Sequence, residues 1–148
     1  MPSALPAAHT MGARVMHETT VAFESRSPLA FHDAVARARD ALAREGFGVL
    51  TEIDVKATLK AKLGVEREPY LILGACHPPS AHASLTAAPE VGVLLPCNVT
   101  VSVEGGNTVV RAMNPEGVLG IVGKPELAPL GAHVGAALRR VLAACERA

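Results

Sequence analysis

The chain of 148 residues has no tryptophan, one tyrosine and three phenylalanines. Proteins that hold single-stranded nucleic acid stack its bases on aromatic rings. Phe23, Phe31, Phe47 and Tyr70 are too few to build such a platform. An excess of one charge is also missing, because fourteen Lys and Arg balance fourteen Asp and Glu. Nucleic-acid-binding domains usually carry a strongly basic face, so nucleic acid is not an expected partner. No apolar run reaches the roughly 20 residues that span a bilayer, and no membrane partner is expected. The segment Met1 to Glu18 scatters Pro2, Pro6, His9, Arg14 and His17. That breaks the continuous apolar stretch a signal peptide needs, so the cytoplasm is the expected address. Cys76, Cys97 and Cys145 are an odd number without close spacing. In a reducing compartment they are free thiols and not a disulfide framework. Internal repeats, a phosphate loop and a dinucleotide fingerprint are absent as well.

What is present is small and apolar. Hydrophobic residues make up 49% of the chain, and 26 of them are Ala and 17 are Val. Charged residues are 19%, below the average near 25%. The length suits one domain, which buries about two thirds of its unfolded surface. Residues 1–17 show no period and read as a flexible leader; residues 18–148 read as a single α+β domain.

Within it, Thr19, Val21 and Phe23 alternate with Thr20, Ala22 and Glu24, a strand pattern. Ser27-Pro28 then opens a helix, with Ser27 as cap. Phe31, Val35, Ala38 and Leu42 form its apolar stripe, and Gly46 closes it. Phe47 to Ile53 is a second strand, with Phe47, Val49, Thr51 and Ile53 on one face. Asp54 caps a short helix to Leu63, ended by Gly64. Tyr70 to Cys76 is apolar on both faces, as a central strand is, and His77-Pro78-Pro79 stops it. Ser80 caps two helical turns over Ala81 to Ala88, and Val91 to Leu95 is a short apolar strand or extended piece. Cys97 to Val103 alternates cleanly, and Gly105-Gly106-Asn107 turns it into Thr108 to Met113. After a glycine-rich connector a last helix runs from Pro125 to Glu146. Its stripe is Leu130, Val134, Leu138, Val141, Leu142 and Cys145. The two long helices, Ser27–Glu45 and Pro125–Glu146, are expected on one face of an antiparallel sheet.

Several segments resemble a known family in order and spacing. They are Gly46-Phe47-Gly48-Val49-Leu50, Glu52 to Lys56, Leu63-Gly64, Tyr70 to Cys76, and Leu94-Leu95-Pro96-Cys97-Asn98-Val99. The pattern resembles the domain of unknown function 302 family over roughly Thr19 to Ala144. The resemblance implies a β-α-β(4)-α fold like the saddle of the TATA-box-binding protein, and self-association as a homodimer. It implies no activity. The family pattern has Asn after the first of these cysteines, where this chain has His77.

The chemistry-bearing residues gather around two strand ends. Cys76 ends one strand and Cys97 begins another, with His77 and His82 close in sequence. Two thiols and two imidazoles can bind zinc or copper, although adjacent residues such as Cys76 and His77 point to opposite faces of a continuing strand. The same thiols can form a reversible redox pair if one has a lowered pKa and some exposure. Equally, Cys97 sits in line with valines and fits a core position, and Cys145 lies on an apolar stripe. No nucleophile motif surrounds Cys76, so an enzyme is the less favoured class. The competing class is a non-catalytic domain for a small ligand or for self-assembly. Its binding candidates are Asp54, Lys56, Tyr70 and Asn98, the last on a polar strand face with Thr100, Ser102, Glu52 and Arg111. Asp54 also suits a helix cap, Lys56 and Lys60 a solvated face, and Tyr70 a sheet anchor.

Overall fold

The alternating valines of the two hairpin strands set the middle of the molecule. The computed structural model describes residues 16–148. It contains six strands: β1 His17–Glu18, β2 Ala22–Ser27, β3 Gly48–Asp54, β4 Tyr70–Cys76, β5 Cys97–Glu104 and β6 Asn107–Met113. They form one sheet in the order β1-β2-β6-β5-β4-β3, and every neighbouring pair is antiparallel. Helix α1 spans Phe31–Arg44, α2 Val55–Leu63, α3 Pro78–Ala87, α4 Pro115–Gly120 and α5 Ala128–Cys145. Helices α1 and α5 cover the same sheet face. Phe23, Leu73, Val99, Val101 and Val110 are buried there against Ala38 and Leu42 of α1 and Leu138, Val141 and Leu142 of α5. The α+β architecture is therefore the expected one, with α1 and α5 as the two long helices. Arg37 of α1 ties them at one end. Its Nη1 donates to the carbonyls of Ala144 and Arg147, each at 3.0 Å, where a helix terminus has no partners of its own.

Local expectations met different fates. Asp54 caps α2, its carboxylate accepting from Ala57 N at 2.9 Å. Gly64 ends that helix in the left-handed region at φ 68°, which costs glycine little. Ser27, in contrast, is not a helix cap. It is the last residue of β2, paired with Thr108, and α1 begins four residues later, at Phe31 after the N-cap residue Ala30; pairing with β6 outweighs the cap. The leader expected over 1–17 lies, up to residue 15, outside the described residues. Met16 packs on the core, and His17 and Glu18 pair with Glu24 and Phe23.

Strand β3 breaks the face assigned to it. A bulge between Val49 and Thr51 shifts the register, so Val49 opposes Ala75 while Glu52 opposes Leu73. An extra residue in one strand turns all later side chains over. Thr51 and Ile53 therefore leave the face of Val49. Glu52 moves to the helix side, where it pairs with Arg39 of α1, and not to the polar face with Asn98. Val91 to Leu95 is not extended either. The 3-10 helix Pro89–Leu94 occupies it, because both edges of β4 and of β5 are already paired. Val91 instead joins Ala88, Leu119 and Leu127 in a second, smaller core. The glycine-rich connector contains α4, capped by Asn114, whose Oδ1 accepts from Glu116 N and Gly117 N at 3.1 and 3.3 Å.

Candidate functional site

The site grows from the connection between β4 and β5. These strands are neighbours, with Ala75 opposite Cys97, so the segment joining them must return over the end of the sheet. Helix α3 begins directly after β4. His77 is its N-cap residue and Pro78 its first helical residue, a position where proline's missing N–H is no loss. The expected start at Ser80 is thus too late: Ser80 lies inside α3 and is buried. The return path leaves a cavity of about 330 Å³ between the strand ends, α3, the 3-10 helix and the first turns of α4 and α5. Its walls are mainly apolar, with Ala75, Leu95, Leu119, Leu130 and Val134 among them. Leu50 and Leu85, both exposed, belong to its lining. No Lys, Arg, Asp or Glu lines it.

Three of the four residues of the proposed thiol and imidazole cluster face this cavity: Cys76, His77 and Cys97. His82 does not. It is exposed, on the turn of α3 that faces away. His77 Nδ1 lies 2.7 Å from Ser80 Oγ, and its ring packs against Phe47 and His133 at centroid separations of 5.4 and 5.8 Å. These contacts hold the imidazole in one orientation. Among the described residues, no three His, Cys, Asp or Glu side chains converge as a metal ion requires, so the zinc or copper expectation finds no ligand set there.

The two thiols differ. Cys97 is buried, and burial first, then the neighbouring Cys76, pushes its pKa up to about 11. Cys76 is half-buried at the cavity wall. A thiolate is the nucleophile in cysteine chemistry, so Cys97 is the less reactive of the pair. Cys145 is buried on α5, and burial pushes it up to about 11 too. All three are free thiols.

The other four candidates do not converge on the cavity. Asp54, Lys56 and Tyr70 line a smaller hollow of about 250 Å³. There Asp54 caps α2, and Lys56 Nζ donates to the Arg67 carbonyl at 2.7 Å. Tyr70 lies beneath the Arg67 guanidinium, 5.2 Å from its ring centroid. Tyr70 also borders a hollow of about 280 Å³ on the open sheet face, shared with Asn98 and Thr100. Arg111 there is held by Glu24 at 2.8 Å and by Glu104 at 2.5 Å. The Arg111 and Ser102 hydrogen bonds hold the Glu104 carboxyl down to about 2.

Sequence reasoning missed Ser84 as a cavity residue and placed Ser80 as a cap. Their signal was the four-residue spacing, which puts both on one face of α3. Burial, which decides its meaning, is not visible in the sequence.

The comparisons agree with this architecture. No curated protein is significantly similar to the chain. The crystal structure of an uncharacterized conserved protein DUF302 from Bacillus stearothermophilus superposes with a TM-score of 0.80. It is 28% identical, and the match covers 84% of this chain and 98% of that one. The family model described as Domain of unknown function DUF302 matches residues 23–145, and with the strand and helix order described above, the chain belongs to that family.

Proposed function

We propose that the protein is a binding domain for a compact, mostly apolar small molecule held in the cavity beneath α3. The observation that carries this reading is the cavity itself. It is half open to the surface and its walls are mainly apolar, as those of ligand pockets are. A space of about 330 Å³ is roughly twice an engineered apolar cavity that takes benzene, and it falls at the lower end of ordinary ligand pockets. Leu50 and Leu85 supply an apolar entrance. A two-ring hydrocarbon is the size that fits.

A second reading, thiol chemistry at Cys76, is favoured by the placement of that half-buried thiol in the cavity wall. The two readings meet in one experiment. With iodoacetamide at neutral pH, Cys76 is expected to react first. Cys97 and Cys145, with pKa values of about 11, expose only about one thiolate in ten thousand at pH 7. Saturating naphthalene should slow alkylation of Cys76 severalfold, followed by peptide mass spectrometry. An unchanged rate at Cys76 would show that the cavity does not take the hydrocarbon. Faster reaction at Cys97 would overturn the assignment of the accessible thiol.

A further inference from the structure

Helix α3 turns an unusual face inward. The residues it buries are Ser80 and Ser84, where packing alone favours alanine or leucine. The two hydroxyls are not equivalent. Ser80 Oγ is within 2.7 Å of His77 Nδ1. Ser84 is only 4% exposed, lines the cavity, and its hydroxyl has no hydrogen-bond partner among the described residues. The usual outlet for a helical hydroxyl is the carbonyl four residues earlier. Thr86 takes it, donating to the His82 carbonyl at 2.8 Å; Ser84 does not. Ser84 Oγ is therefore not sealed in the core: it stays open to the cavity, free to meet a group placed there.

We infer that Ser84 is the polar anchor of the cavity. The ligand class is then a neutral molecule with an apolar body and one hydrogen-bonding group, such as a phenol, alcohol or ketone. This rests on the binding reading given above. The charge of the ligand follows from the walls. With no Lys, Arg, Asp or Glu lining the cavity, an ionised ligand would lose its hydration and gain no counter-charge. The hydroxyl left for a ligand group is that of Ser84, since Ser80 Oγ is already engaged by His77 Nδ1. Ser84 can donate to a carbonyl or accept from a phenol.

Three probes of one shape separate the possibilities: naphthalene, 2-naphthol and 2-naphthoate. Their dissociation constants are measured by calorimetry on the full chain and on its Ser84→Ala variant. The expected result is that 2-naphthol binds roughly 3–10-fold more tightly than naphthalene, the range of one net hydrogen bond. Ser84→Ala should erase that preference while leaving naphthalene binding within about twofold, and 2-naphthoate should bind more weakly than either. Without ligand, Ser84→Ala should melt no lower than the parent, because no hydrogen bond within the protein is lost and alanine is the better helix former. Equal binding of naphthol and naphthalene, or a preference that survives Ser84→Ala, would overturn the anchor and leave the cavity reading standing. Naphthoate binding as tight as naphthol would overturn the neutral class. Binding of none of the three would overturn the cavity reading and the anchor together. A Ser84→Ala chain that melts far lower, or fails to fold, would show that the hydroxyl has a structural partner and so contradict the inference.

Discussion

Gly117→Ala is expected to destabilise the protein by about 3 kcal/mol, a large effect for adding one methyl group. Gly117 lies in the first turn of α4, and a Cβ there would sit 2.0 Å from the Thr20 carbonyl oxygen. The same atom would sit 2.8 Å from the Thr20 carbonyl carbon and 3.0 Å from its Cα. All three obstacles are backbone, so no rotamer change relieves them. The turn carrying Thr20 cannot move away freely either. Asn114 N donates to the Val21 carbonyl at 2.8 Å, and Asn114 Nδ2 donates to the Thr19 carbonyl at 2.8 Å. Either α4 tilts off, opening the smaller core around Leu119, or those two bonds break. Gly120→Ala, at the other end of the same helix, meets nothing within 4 Å. It should change stability by no more than about 0.5 kcal/mol, because exposed changes away from contacts are usually small. Urea unfolding of both variants checks the contrast. Equal midpoints would mean that the close approach of α4 to the β1–β2 turn is not a feature of the fold in solution.

Stability should also fall steeply in alkali, between about pH 9 and pH 11. Cys97 and Cys145 each have a folded pKa raised from 9.0 to about 11, chiefly by burial. A raised folded pKa means that the native state keeps its protons where the unfolded chain releases them. Both contributions are therefore complete below pH 9 and are lost as pH climbs towards 11. At about 1.4 kcal/mol per pKa unit, each thiol accounts for on the order of 2–3 kcal/mol across that window. The variant with both Cys97→Ala and Cys145→Ala should be less stable at pH 7, since each truncation leaves a small cavity. Its stability should nevertheless change much less between pH 8 and pH 11 than that of the parent. Parallel pH profiles for the two proteins would show that these thiols are more hydrated than their packing implies.

The parts of the fold that could be read from the sequence are those whose signal is local. The Cys97 to Met113 hairpin announces itself by alternation and by Gly105-Gly106, which adopt φ of 59° and 83° at the turn. Helix α2 is bracketed by Asp54 and Gly64, and both act as expected. Failures came where a tertiary partner chose between two local meanings. His77-Pro78-Pro79 reads as a strand stop, yet the same prolines start α3. Asn114-Pro115 ends β6 and also caps α4. The bulge at Leu50 follows from pairing with β4 and has no mark in the residues themselves.

The candidate site divides in the same way. Cys76 and Cys97 were placed together correctly, because adjacent strand ends must meet when the strands pair. His82 was set beside them by sequence proximity, but a helix separates residues two positions apart onto different faces, and α3 begins soon enough to carry it outward. Ser84 was unreadable, since a serine among alanines acquires meaning only when it is known to face a cavity.

The central claim is that the space beneath α3 takes a ligand. It is tested most directly by two-dimensional amide NMR of the ¹⁵N-labelled chain titrated with 2-naphthol. The shifts are expected to concentrate on Ala75 to Leu85, on Gly92 to Cys97, and on Leu119, Leu130 and Val134, the residues around the cavity. Amides of Arg111 and Met113, beside the open-face hollow, should stay in place. Shifts confined to that open face, or none anywhere at saturating probe, would contradict the account.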